Sequence, residues 1–106
     1  MVIVGRPLNE GSMTPIMWGE FCNILRGYGN SGNFKISFLD GSSVDYLVMQ
    51  GRMEYHFMGT QIISFKGDNF IYRLKQDKVS SVEQVSGVDV FYIYLKNRTT
   101  CKIVIG

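Results

Sequence analysis

Apolar and polar side chains alternate at Phe34, Lys35, Ile36, Ser37 and Phe38. A period of two is that of a strand with one face buried. It recurs where Met53, Tyr55 and Phe57 interleave with Arg52, Glu54 and His56, and again where Phe70, Tyr72 and Leu74 flank Arg73 and Lys75. Further strands are predicted over 44–49, 61–66 and 101–105. Asp40-Gly41, Gly67-Asp68-Asn69 and Asn97-Arg98-Thr99 supply turns between them, and Gly51 a bend or an end. Residues 88–96 are apolar on both faces (Val90, Tyr92, Tyr94; Phe91, Ile93, Leu95), the mark of a central strand or of one at an interface. Residues 76–87 are ambiguous. The spacing of Ser80 and Glu83 suits one helical turn, and Val79 with Val82 suits a short strand.

Only residues 15–26 carry a helical period. Thr14 reads as the N-cap, Pro15 as the first helical residue and Gly27 as a left-handed C-cap. Met17, Phe21 and Ile24 line one face and Trp18, Cys22 and Leu25 the next, opposite Glu20, Asn23 and Arg26. Phe21, Ile24 and Leu25 are therefore expected to be buried against a sheet. The predicted class is α+β, mostly β: one N-terminal helix packed on a curled antiparallel sheet, or a small barrel, of six to seven strands. Residues 14–106 form the single domain. Residues 1–13 read as an arm, either an edge strand through Val2 and Val4 or a remnant marked by Gly11-Ser12-Met13.

Composition changes this picture little. Seven Phe, six Tyr and one Trp in 106 residues suit strands. The formal charge of +2 is too small to imply a nucleic-acid partner and does not exclude one. Cys22 and Cys101 lack metal-ligand neighbours, so buried reduced thiols are the leading reading and a disulfide the alternative. No apolar run reaches the ~20 residues of a membrane span. With no leader read at the start, the expected location is cytoplasmic.

Candidate chemistry is sparse. His56 and Glu54 share a strand face and could pair, but no nucleophile can be placed beside them from sequence, so no catalytic residue is assigned. No ligand spacing points to a metal and no motif to a cofactor. The run Gly27-Tyr28-Gly29 follows a helix, whereas phosphate loops precede one. The glycosylation triplet at Asn97 reads as a turn. Two surfaces stand out. The first is a candidate interface at Val90, Tyr92, Ile93 and Tyr94. The second is a candidate basic and aromatic face at Arg52, Tyr55, Lys66, Arg73 and Lys75.

An N-terminal helix, then Phe38-Leu39-Asp40-Gly41, a long bent strand, and Ile71-Tyr72-Arg73 leading to Val79-Ser80-Ser81-Val82 resembles the order of features in Sm-like small barrels. The spacings differ, and residues 88–105 are additional. What the resemblance implies is a fold, with nucleic-acid binding as one function it hosts. The expected function is a non-enzymatic binding or regulatory protein acting through protein–protein contacts of an aromatic-rich sheet, with self-association through residues 88–95. A small nucleic-acid-binding barrel is the alternative. A ligand-binding cup, or a minor enzyme around His56 and Glu54, is the second.

Overall fold

A computed structural model describes residues 13–39 and 45–106, without side chains at 45–47. The elements in chain order are β1 (Met13–Ile16), α1 (Trp18–Arg26), β2 (Ser31–Leu39), β3 (Asp45–Met58), β4 (Ile62–Lys66), β5 (Ile71–Lys75), a 3-10 turn (Gln76–Lys78), β6 (Val79–Val85), β7 (Val90–Leu95) and β8 (Thr100–Ile105). All strand pairs are antiparallel. The single 8-stranded sheet runs β1-β6-β7-β8-β2-β3-β4-β5. It is open, with β1 and β5 at its edges. The mostly β class with one helix therefore holds, while the count exceeds the expected six to seven and the sheet does not close into a barrel.

The extra strand is β1. Thr14 and Pro15 do not begin the helix; they pair with Gln84 and Glu83 of β6. Proline is acceptable there because the strand is an edge. The helix starts at Trp18, and the Glu20 carboxylate accepts the Met17 N–H at 3.1 Å. Gly27 stays right-handed at φ −65°, and the left-handed residue that turns the chain toward β2 is Gly29 at φ +86°. Residues 79–85 are strand, not a helical turn. β6 has neighbours on both sides, and those two ladders outweigh the local capping signal. The predicted edge strand near Val2, Gly11-Ser12 and the Asp40-Gly41 turn lie outside the described residues.

β5 ends the sheet order and β6 is second in it, yet the 3-residue turn joins them. Three residues reach about 10 Å, whereas six strand spacings laid flat would cover roughly 29 Å. The sheet must therefore curl until its ends approach. β3 makes much of that curl. Its first part pairs with β2, its last part with β4, and Gly51 at φ +123° lies within it.

The concave face holds the core: Phe34, Ile36, Met53, Tyr55, Ile63, Phe65, Leu74, Phe91, Ile93, Cys101 and Ile103 are all buried. α1 plugs it. Phe21 and Leu25 are fully buried, Ile24 only partly, and Met17 is 72% exposed. The Phe21 ring meets Phe91 edge-on at 5.1 Å. On the other side, the Tyr55 hydroxyl donates to the Leu25 carbonyl, and the Arg26 guanidinium lies 4.2 Å from the Phe57 ring centre. Cys22 and Cys101 are both buried and free.

Candidate functional site

The period of two splits the candidate interface on β7. Ile93 points into the core opposite Cys101 and is 0% exposed, so it leaves the proposed surface. Val90, Tyr92 and Tyr94 lie on the convex face, half-buried by neighbouring strands. The Tyr94 hydroxyl donates to Glu83 Oε1 at 2.7 Å. Burial first, and then this bond, push the Tyr94 phenol up to about 12. Lys102 Nζ stands 5.4 Å from the Tyr92 ring centre. Cross-strand neighbours thus cover much of this face.

The basic and aromatic face also divides. Tyr55 is 1% exposed and belongs to the core, edge-on to Phe34. Arg52, Lys66, Arg73 and Lys75 are exposed. Arg52 donates to Ser31 Oγ at 3.2 Å, and Lys66 sits opposite Glu54. His56 lies opposite Ser64, and Ser64 opposite Arg73. The register therefore gathers Glu54, His56 and Ser64 on one convex surface. His56 Nε2 is 3.8 Å from Glu54 Oε1, with the side chains 58% and 66% exposed. Nothing encloses the His56 and Glu54 side chains, whereas Ser64 between the strands is buried, at 9% exposed. Among the described residues no cluster of His, Cys, Asp and Glu could hold a metal ion.

A groove of about 870 Å³ lies elsewhere: along β5, facing the turn between β7 and β8. That size falls in the range of ligand and peptide sites. Phe38, Met49, Tyr72, Leu74 and Leu95 supply apolar lining, and Arg73, Lys75, Lys78 and Lys96 supply four cations against one carboxylate, Asp77. A backbone bond from the Lys96 N–H to the Lys78 carbonyl, 2.9 Å, ties the β7–β8 turn to the 3-10 turn and closes one end. The Asn97 carboxamide shapes that turn by accepting the Thr99 N–H at 2.9 Å.

The backbone of β5 completes the groove. The Gln76 N–H donates to Gln61 and the Gly67 N–H to Phe70, in register with the β4–β5 ladder. Antiparallel bonding alternates along a strand. Residues 70, 72, 74 and 76 therefore spend their N–H and C=O groups on the β4 side. Ile71, Arg73 and Lys75 turn theirs to the open edge, where no strand pairs with β5 among the described residues. The sequence signalled the exposed cations but not this groove. Leu95, Lys96 and Lys78 reach it only through the curl of the sheet.

No protein-family model matches the chain, and no curated protein or solved structure shows significant similarity to it. Among the described residues no helix is long and apolar enough to cross a membrane.

Proposed function

We propose that the chain is a non-enzymatic binding module whose partner is another protein, taken up as an extended segment along β5. The carrying observation is that the groove borders a strand edge whose three outward residues pair with no strand among the described residues. Strand addition at such an edge supplies affinity through main-chain bonds and specificity through alternate side-chain pockets. The exposed Ile71 side chain, at 58%, adds apolar surface beside the edge.

The test is selection from a displayed library of random eight-residue peptides, with binding of the selected peptides mapped by amide chemical shifts. Shifts concentrated on Ile71, Arg73, Lys75 and the β7–β8 turn are expected. Selected peptides that perturb only other surfaces would refute the reading. Co-purified nucleic acid that shifts the same residues would support the barrel-type alternative, for which the four rim cations speak.

A further inference from the structure

We infer that the segment received by the groove is acidic, alternates carboxylate with apolar side chains, and joins the sheet as an added strand beside β5. The inference rests on the binding reading above and goes beyond it by naming the occupant. Three features of the edge set its chemistry.

The first is the alternation of β5. Side chains of an added strand opposite Ile71, Arg73 and Lys75 share their convex side, and the intervening ones share the side of Tyr72 and Leu74. Carboxylates opposite Arg73 and Lys75 would meet cations, and an apolar residue opposite Ile71 would cover its exposed side chain. The alternate positions would descend toward Phe38, Met49 and Leu95, which line the cavity.

The second is unbalanced charge. Arg73, Lys75, Lys78 and Lys96 surround the groove with Asp77 as the one acid, and no salt bridge engages these cations among the described residues. The excess is local, because the whole chain carries only +2. Lys78 and Lys96 stand together at the end pinned by their backbone bond, where a further carboxylate of the segment would lie.

The third is what the edge rejects. A second copy pairing antiparallel through β5 about Arg73 would set Arg73 against its twin, and like charges directly opposite are destabilising. A single-stranded nucleic acid needs open aromatic faces for stacking. Here Phe38 is only 7% exposed and packs edge-on against Tyr72 at 5.0 Å. A phosphate chain also cannot return the alternating donors and acceptors of Ile71, Arg73 and Lys75.

The experiment uses the full chain. In the free protein, hydrogen exchange should show the amides of Ile71, Arg73 and Lys75 unprotected while those of Tyr72 and Leu74 are slow. Peptides selected from the random eight-residue library should carry two or more Asp or Glu alternating with apolar residues. They should protect those three amides and weaken with added salt. The double variant Arg73→Glu, Lys75→Glu alters only exposed side chains, so its melting temperature should hold while affinity falls at least about ten-fold. Neutral or basic peptides bound at the same amides would overturn the acidic occupant and leave the groove reading standing. Selected peptides that bind away from β5 would overturn both. Protection of the three amides in the free protein would show the edge already covered and end the proposal. Oligothymidylate displacing the peptides at lower concentration than they bind would hand the groove to nucleic acid.

Discussion

Replacing Tyr55 by Phe removes one hydroxyl from the centre of the fold. Tyr55 is 1% exposed, and its hydroxyl donates to the carbonyl of Leu25, near the end of α1. Two magnitudes compete. If the carbonyl were orphaned, the cost would be the penalty of a buried unsatisfied acceptor, about 1–3 kcal/mol. The same carbonyl, however, also accepts the Tyr28 N–H at 3.0 Å. It keeps a partner after the substitution, so the loss reduces to one net hydrogen bond, about 0.5–1.5 kcal/mol. The ring stays against Phe34 and Phe65, with centroids at 5.4 and 6.2 Å, so little cavity opens. Urea unfolding can be followed by the fluorescence of Trp18, the one tryptophan, whose indole N–H donates to the Thr60 carbonyl at 2.8 Å and so reports docking of the helix. The expected shift is about 1 kcal/mol, or about 4 °C in melting temperature. A loss above about 2.5 kcal/mol would refute the shared acceptor. A loss near zero would refute the bond itself.

Leu25→Ala, at a fully buried site, should cost about 2.7–5 kcal/mol in the same assay, and Met17→Ala, at a 72% exposed site, less than about 0.5 kcal/mol; equal losses would contradict the docking of α1. Burial pushes the Cys101 thiol from 9.0 up to about 12. Above pH 9 the unfolded chain sheds this proton and the folded chain keeps it, so stability is full below pH 9 and falls as pH rises toward 12. Urea midpoints at pH 8 and 10.5 should diverge less in Cys101→Ala than in the parent; an equal divergence would exclude the thiol as a source. His56→Gln should leave stability within about 0.5 kcal/mol and peptide capture unchanged, since the imidazole is exposed and outside the groove; loss of capture would relocate the site. Ile93→Glu should unfold the chain, whereas Tyr92→Glu should stay folded and, if β7 joins copies, give the monomer mass by light scattering; an unchanged oligomer would remove this face from any assembly.

The readable parts of the fold are those whose signal is local and repeated. Alternation placed Phe34, Ile36, Met53, Tyr55 and Leu74 inside, and a strand apolar on both faces became central β7. The misread parts are those where a local signal served two structures equally. Thr14-Pro15 suits a helix start and also an unpaired strand edge, and only β6, distant in sequence, decides between them. The spacing of Ser80 and Glu83 suits a capping box, yet Glu83 pairs with Pro15 and Tyr92 and bonds the Tyr94 hydroxyl. Tyr55 sits in the core and not on the basic face, as its alternation with Arg52, Glu54 and His56 requires.

The groove was illegible for a different reason: it arises from topology. Seen along the sheet, β7 and β8 stand between β6 and β2, so six strand spacings separate β6 from β5. The chain nevertheless passes from β5 to β6 in a 3-residue turn, which draws both into the same region. An antiparallel pair needs strands about 4.8 Å apart and aligned over their length. Here β5 is tied to β4 on one side, and β6 to β1 and β7, so the two diverge from their shared turn. The wedge between them is lined by what each contributes: the outward backbone of Ile71, Arg73 and Lys75 from one side, and Leu95 and Lys96 of the β7–β8 hairpin from the other.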